Sequence, residues 1–175
     1  MNKAHTLILL LLIILLSACA PTESAELSGF IEPDPADYVD VMPAVWEYFH
    51  HRKSAVITGE MSSFYKRYPA LQSGTDLAKG INTEASFVES MRGLEPFDGD
   101  IHPEYYERVR VKRSGDELQV LVHGLELYLW KNSEGEFDRS GGEFKLVLFL
   151  GQAGERWDLY RTDEVTLAEW RAFEE

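Results

Sequence analysis

The sequence is poor in cysteine and in basic residues. Cys19 is the single cysteine in 175 residues, so the chain can form no internal disulfide and its stability must come from packing. There are 17 Lys and Arg against 30 Asp and Glu, which gives a formal net charge of −13. Binding to a phosphate backbone needs clustered cations, and we therefore expect no nucleic-acid partner.

Motifs for catalysis and metal binding are also missing. The sequence contains no phosphate-binding loop, nucleophile elbow or paired-cysteine motif. His50 and His51 are adjacent on a predicted helix, so their side chains diverge by about 100° and cannot share an ion. His102 has no second pair of ligands near it in the sequence. We predict no metal site and no cofactor.

The longest hydrophobic run has ten consecutive Leu and Ile residues, from Leu7 to Leu16. It follows a short segment that contains Lys3 and His5. A helix that spans a membrane needs about 20 apolar residues, so this run indicates a signal peptide and not a permanent anchor.

The residues that end this run, Leu16-Ser17-Ala18-Cys19, resemble the lipobox of bacterial lipoproteins. The resemblance implies transfer of diacylglycerol to the Cys19 sulfur, cleavage after Ala18 and often a fatty acyl chain, such as palmitate, on the new amino group. The protein would then be anchored to a membrane in the cell envelope. With Ala20 after the cysteine, we expect the periplasmic face of the outer membrane in a Gram-negative source, and otherwise the outer face of the plasma membrane.

The mature chain would consist of a tether and one domain. Residues 1–18 are the predicted signal peptide, 19–35 the lipidated N-terminus and flexible tether, and 36–175 the domain. The mature part keeps 16 Lys and Arg against 30 Asp and Glu, and anionic head groups would repel it. The tether should therefore hold the domain away from the bilayer. Alternatively, Phe30 and Ile31 dock onto the domain as an N-terminal arm.

Helical periodicity dominates the first half of the domain. Apolar residues at steps of three and four predict a helix from Asp37 to Thr58, and Arg52 lies in the same stripe. Pro43 should lie in the first turn of this helix or mark its true start. Shorter helices are predicted from Glu60 to Tyr68 and from Asn82 to Gly93.

Alternating apolar residues predict an antiparallel sheet beyond His102. The alternation changes phase at His123-Gly124, which predicts a β-bulge there. A capping box at Thr166 opens a short last helix. Helices followed by such strands indicate an α+β domain with helices packed on one face of the sheet. The strands are expected at Val109–Val111, Leu118–Trp130, Glu143–Leu150 and Arg156–Thr162.

This order of elements is similar to the nuclear transport factor 2-like (NTF2-like) family, over residues 37–162. The similarity is carried by the run GGEFKLVLFL and, after a turn that contains glycine, by RWDLYRTDEV. It implies a cone in which N-terminal helices pack on a curved antiparallel sheet, as in the cystatin and NTF2-like folds. The family includes isomerases, dehydratases, transport adaptors and inert binding modules, so the resemblance implies little about chemistry.

Such a cone usually encloses an apolar pocket. The candidate lining residues are His123, Tyr128, Trp130, Tyr160 and Arg161. Alternatively, the aromatic residues complete the core and Arg161 lies outside. His123 and Tyr128 could serve as base and hydrogen-bond donor in an isomerase, but no motif joins them.

The leading interpretation is a membrane-anchored lipoprotein whose domain is a non-enzymatic binding module for a small apolar ligand or an envelope protein. One alternative is a small lyase or isomerase that uses the same pocket. The other is a purely structural interaction protein with a filled pocket. A cavity with a buried carboxylate or His would favour the enzyme.

The outer face of the sheet suggests a homodimer. The run from Phe144 to Leu150 does not alternate, so Val147 and Phe149 would lie on that face, with Leu121, Tyr128 or Trp130 beside them. Exposed apolar residues there would favour pairing of two chains. The alternative is that the last helix, from Thr166 to Phe173, covers the face within one chain.

Lipidation can be tested with Cys19→Ala. Expressed with its signal in a bacterial host, the wild-type chain should fractionate with membranes and yield an acylated N-terminal peptide in mass spectrometry. The variant should lose both the acyl group and lipoprotein-type cleavage, because the sulfur is the acceptor. Normal processing and membrane retention of the variant would contradict the prediction.

Overall fold

The computed structural model describes residues 29–73, 83–103 and 108–164. Helices come first and strands follow, and the sheet is antiparallel, which confirms an α+β domain. The helices are α1 (Pro35–Thr58), α2 (Ser62–Arg67), α3 (Pro69–Ser73) and α4 (Thr83–Arg92). The strands are β1 (Asp98–His102), β2 (Arg108–Ser114), β3 (Glu117–Lys131), β4 (Phe137–Ala153) and β5 (Arg156–Glu164).

Local signals define both ends of α1. The Asp34 carboxylate accepts hydrogen bonds from the backbone N–H groups of Ala36 and Asp37, at 2.8 and 2.9 Å, and Pro35 occupies the first turn. Gly59 ends the helix in the left-handed conformation, with φ 68°. One face is buried, as the periodicity predicts. Its residues are Val41, Met42, Val45, Tyr48, Phe49, Arg52, Ala55 and Val56.

Pro43 departs from the prediction, whereas the short second helix ends before Pro69, as predicted. Pro43 lies inside α1 and not in its first turn. It removes one backbone donor to the carbonyl of Val39, but both residues are exposed, so water can solvate that carbonyl. Pro69 also opens the short helix α3, which was not predicted.

The sheet is built around β3. The strand order is β1-β3-β4-β5, and β2 also pairs with β3. The first part of β3 pairs with β2 and the later part with β1, a strand that the sequence did not predict. Gly124 lies between the two pairings, where a Cβ atom would overlap the carbonyl oxygen of His102. Only glycine fits where two strands meet the same edge of β3.

The predicted β-bulge at His123-Gly124 is wrong. Pairing between β3 and β4 continues without a register shift from Glu117 to Lys131. The even-numbered residues of β3 therefore face the helices along its whole length, and Glu126 and Tyr128 are buried among them. Leucines on the other face are half-buried, and they made the alternation look shifted.

The core lies between the helices and the inner face of the sheet. α1 contacts both β1 and β5, at opposite ends of the strand order, so the sheet curves around the helix. Aromatic rings fill the space: the Tyr48 and Phe49 centroids are 5.0 Å apart, and Phe49 lies 5.0 Å from Phe144. Phe64 and Tyr68 are also buried there.

Part of the outer face of the sheet is buried as well. Leu121, Val147 and Phe149 form a second apolar cluster, and Phe30 packs against it. Ile31 pairs with Val111, with N···O distances of 2.9 and 2.8 Å. Of the two alternatives for Phe30 and Ile31, the structure therefore has the docked arm.

These contacts change the basis of the homodimer prediction. Val147 and Phe149 are not exposed within one chain, and Tyr128 and Trp130 belong to the inner phase of β3. The expected exposed patch is absent from this part of the described sheet. The homodimer itself stays a prediction, and the last helix at Thr166 lies outside the described residues.

The N-terminal signal run and Cys19 also lie outside the described residues. Among the helices of residues 29–73 and 83–103, none has the length and apolar character needed to cross a membrane.

Two adjacent glycines test the register of β3 and β4. Gly141 has φ 142°, and a Cβ atom there would overlap the backbone carbonyl of Glu126, whereas a Cβ at Gly142 would meet open space. Gly141→Ala should lower the free energy of unfolding by about 2 kcal/mol or more. Gly142→Ala should be neutral or stabilise by up to about 1 kcal/mol. Equal effects of the two variants in urea denaturation would contradict this pairing.

Candidate functional site

A buried ion pair lies between the helices and the inner face of the sheet. The Arg52 guanidinium of α1 and the Glu126 carboxylate of β3 are 3.9 Å apart, and their residues are 2% and 7% exposed. Arg52 belongs to the buried stripe of α1, and Glu126 to the inner phase of β3. Charged side chains are rarely buried unless they are paired, so each one accounts for the position of the other.

Aromatic rings surround this pair. The Arg52 guanidinium lies over the Phe87 ring of α4, 4.4 Å from its centroid, and the Phe87 and Tyr128 centroids are 6.0 Å apart. The Tyr128 ring lies against β1 at Gly99, where a Cβ atom would be 2.7 Å from the ring. We call Arg52, Phe87, Gly99, Glu126 and Tyr128 the inner cluster.

The hydroxyl of Tyr128 is the third polar side-chain group of the inner cluster, beside the Arg52 guanidinium and the Glu126 carboxylate. It is buried, and it has no hydrogen-bond partner among the described residues. Burial, and then the nearby charge of Glu126, raise the pKa of Tyr128 well above its usual range. The hydroxyl is therefore protonated at physiological pH and can donate a hydrogen bond. Beside the Glu126 carboxylate, it forms a donor and acceptor pair that could in principle carry acid-base chemistry.

The structure does not bring the five predicted pocket residues together. Tyr128 is in the inner cluster, and Trp130 is half-buried in the same phase near the end of β3. His123 is buried on the outer phase, with Nε2 3.4 Å from Glu143 Oε2. It pairs across the strands with Lys145, which is also buried.

Tyr160 and Arg161 lie on the outer side of β5, where they contact other surface groups. Tyr160 donates a hydrogen bond to the Glu117 carboxylate, and the Arg161 guanidinium lies 3.6 Å from the centroid of Phe149. Burial and then the Glu117 bond raise the pKa of Tyr160 to about 12, while the bonds from Tyr160 and Gln119 lower the pKa of Glu117. These contacts stabilise the sheet and leave neither residue near the inner cluster.

Sequence reasoning missed the partnership of Arg52 and Glu126. The signal for Arg52 was present, because an arginine in an otherwise apolar stripe requires a counter-charge. A bulge at His123-Gly124 would have placed Glu126 on the outer face, so the alternation offered no reason to expect it in the core. The ion pair could have been found only with the correct phase of β3.

A second ionic cluster joins α1, α2 and β5 at the surface. Arg67 binds the Glu47 carboxylate through two hydrogen bonds, 2.7 and 2.8 Å, and Asp158 at 3.0 Å. The bonds from Arg67 lower the pKa of Glu47. All three side chains are partly exposed, so this cluster contributes little to stability.

The described residues include no group of three or more His, Cys, Asp and Glu that could hold a metal ion. His50 and His51 have ring centroids 5.8 Å apart on α1.

Two open clefts adjoin the loop between α4 and β1, and neither includes the inner cluster. One, of about 530 Å³, lies at the C-terminus of α1 beside Arg92 and Glu95. The other, of about 540 Å³, we call the distal cleft. It is lined by Leu94, Glu95, Phe97, Lys131 and Phe137.

Strained backbone and exposed aromatic rings mark the distal cleft. Glu95 has φ 48°, a left-handed backbone conformation that residues other than glycine rarely adopt. Phe97 and Phe137 are 49% and 72% exposed, and their centroids are 5.7 Å apart. Paired aromatic rings in contact with water are typical of binding surfaces.

Comparisons with known proteins give little further information. No model of a known protein family matches the chain. No curated protein matches it either. Among solved structures, it is similar to a candidate dehydratase of the NTF2-like family from Streptomyces avermitilis, at 12% identity and a TM-score of 0.44. The similarity covers 73% of this chain and 98% of that one, and at this TM-score it supports no conclusion about chemistry.

The ion pair can be tested by a double-mutant cycle. Glu126→Leu alone should lower the free energy of unfolding by about 3–5 kcal/mol, because the buried Arg52 charge loses its counter-charge. Arg52→Met alone should have a similar cost. The double variant should recover most of the loss, since two apolar side chains of similar size then fill the space. Additive losses in chemical denaturation would show that the two charges do not interact.

Proposed function

We propose that the chain is a lipid-anchored protein of the bacterial cell envelope whose NTF2-like domain is a non-enzymatic binding module. Its anchor would be the lipid on Cys19, after removal of residues 1–18, and its support is the lipobox. The membrane would be the outer membrane, on its periplasmic face, in a Gram-negative source, and otherwise the plasma membrane on its outer face.

The packing of the inner cluster is the observation that carries the non-enzymatic proposal. An acid-base enzyme needs a carboxylate or histidine that the substrate can reach. Here the Glu126 carboxylate faces Arg52, and the rings of Phe87 and Tyr128 lie next to them. A substrate would have to displace side chains that are buried in the core. The inner cluster is therefore better suited to holding α1 and α4 on the sheet.

The open form of the two clefts supports a partner protein over a small apolar ligand. A small ligand is usually bound in an enclosed cavity, whereas both clefts described here are open to solvent. The distal cleft offers exposed aromatic rings, which frequently anchor protein interfaces. Lys131 lies 5.5 Å from the Phe137 ring and adds a charge at the rim.

The position of the distal cleft fits a tethered binding module. The N-terminal arm joins the sheet at Val111, which pairs with Val120, whereas the cleft lies beside Lys131. The twelve residues of β3 from Val120 to Lys131 span roughly 35 Å. The cleft is therefore at the end of the domain that lies away from the tether, where an envelope protein could reach it.

A small lyase or isomerase remains the second candidate. The observation in its favour is the adjacent carboxylate and phenol of Glu126 and Tyr128 on the inner face. Gly142 pairs with Glu126 across the strands, and a Cβ atom at Gly142 would meet no atom within 4 Å, so there is open space next to Glu126. A purely structural interaction protein would use the same exposed surfaces and have no soluble ligand.

Native extraction of the anchored chain tests the proposal. Membranes from the source organism are solubilised in a mild detergent, and the mass of the complex is measured by native gel electrophoresis. Phe137→Glu should release the chain from a larger complex, because it places a charge between the aromatic rings. Ala153→Glu, which adds the same charge at an exposed position outside the distal cleft, is the control and should leave the complex intact.

Glu126→Gln separates the binding module from the enzyme. It keeps the size of the side chain but removes the counter-charge of Arg52, so the domain should lose stability, as for Glu126→Leu. At a temperature where circular dichroism shows the variant to be folded, a binding module should retain its complex and the cellular phenotype of the wild-type chain. An intact complex with complete loss of the phenotype would favour the lyase or isomerase. A wild-type chain that runs as a monomer after extraction would contradict the partner-binding proposal.

A further inference from the structure

Exposed apolar residues are concentrated in the N-terminal arm and the first half of α1. Seven large hydrophobic residues of the described ranges are exposed, and four of them lie between Ile31 and Trp46. These four are Ile31, Tyr38, Val39 and Trp46. We call this group, together with Pro43, the tether-end surface.

Three of its members form a stripe on the solvent side of α1. Val39, Pro43 and Trp46 follow one another at steps of four and three residues, so they share one face of the helix over about 10 Å. Val39 is 68% exposed and Trp46 41%. Burial in the domain does not explain this stripe, because the core-facing residues of α1 lie on the opposite side.

The start of α1 is held close to the point where the tether enters the domain. Ile31 pairs with Val111 of β2, and Asp37 binds Arg113 of the same strand at 3.0 Å. Cys19 and Gly29 are only ten positions apart in the sequence. Such a segment spans roughly 17 Å as a coil and at most about 36 Å when extended.

We propose that the tether-end surface rests on the membrane that holds the lipid of Cys19, with Trp46 and Val39 at the boundary between head groups and acyl chains. This inference rests on the proposed lipid anchor. The short tether keeps the surface near the bilayer, so contact costs little additional entropy. Trp and Tyr favour this boundary because each has an apolar ring and a polar atom that stays hydrated.

Charge determines which lipid the surface accepts. Asp34 and Asp40 are exposed beside the stripe, and the chain as a whole is acidic. Anionic lipids would repel these carboxylates, so zwitterionic phosphatidylcholine should bind the surface better than phosphatidylglycerol. The domain would then lie on the bilayer and expose the distal cleft, and it would not stand away from the membrane.

Tryptophan fluorescence of the lipidated mature chain in vesicles tests the proposal. The chain is reconstituted into phosphatidylcholine vesicles with and without lipids brominated on their acyl chains, which quench tryptophan at short range. Trp46→Phe is measured in parallel, because the difference in emission between the wild type and this variant gives the contribution of Trp46 without that of the other three tryptophans. We expect the Trp46 emission to lie at shorter wavelength than in detergent-free buffer and to be quenched by the brominated lipid.

Two charge variants control this experiment. Val39→Glu should abolish the quenching of Trp46 while the chain still sediments with the vesicles. Ser133→Glu adds the same charge at an exposed position of the turn after β3, outside the tether-end surface and the lining of the distal cleft, and should leave the quenching unchanged. Replacing part of the phosphatidylcholine with phosphatidylglycerol should reduce the quenching, and added salt should restore it.

The outcomes separate this inference from the proposed anchor. Vesicle sedimentation without quenching of Trp46 would overturn the docking and leave the anchor in place. A shift of Trp46 emission that depends on protein concentration, without quenching, would assign the surface to a second copy of the chain and overturn the membrane proposal. If the mature chain recovered from the bacterial host carries no lipid on Cys19 and does not sediment with the vesicles, both the anchor and the docking are overturned.

Discussion

The unbroken phase of β3 is the constraint on which the rest of the structure depends. Because β3 pairs with β4 without a register shift, every even-numbered residue from Leu118 to Tyr128 faces the helices. This places the Glu126 carboxylate in the interior, where it requires a counter-charge. Arg52 supplies it, which fixes the rotation of α1 about its axis, and the Arg52 guanidinium in turn contacts Phe87 of α4. One buried acid therefore links the sheet to two helices.

Much of this fold could be predicted from periodicity, and the failures have a common physical cause. The long first helix, four of the strands and their turns follow from spacing, caps and glycines. Both faces of β3 and β4 are buried, however, so the alternation that reveals the phase of a half-exposed strand was lost. β1 was missed because its sequence, DGDIH, has weak strand propensity and pairs only because the edge of β3 beyond Gly124 is free to accept it.

The candidate site was harder to predict than the fold, because it depends on contacts between distant elements. His123 and Tyr128 are five residues apart on one strand, and an odd separation places them on opposite faces. Arg52 and Glu126 are far apart in the sequence, and only the packing of α1 on β3 brings them together. The exposed apolar groups are arranged differently: four lie in the arm and the first half of α1, and Phe97 and Phe137 line the distal cleft. This arrangement suits a module held at one end that binds at the other.

The central claim is that the inside of the cone is packed and that binding takes place on the surface. Methyl NMR spectra of the mature chain under xenon pressure test it most directly, because xenon enters apolar cavities that are too dry for water. We expect the methyl signals of Val120, Val122 and Leu146, which line the interior, to show no saturable change in chemical shift. Saturable shifts at these methyl groups would reveal a cavity beside the inner cluster and contradict the account.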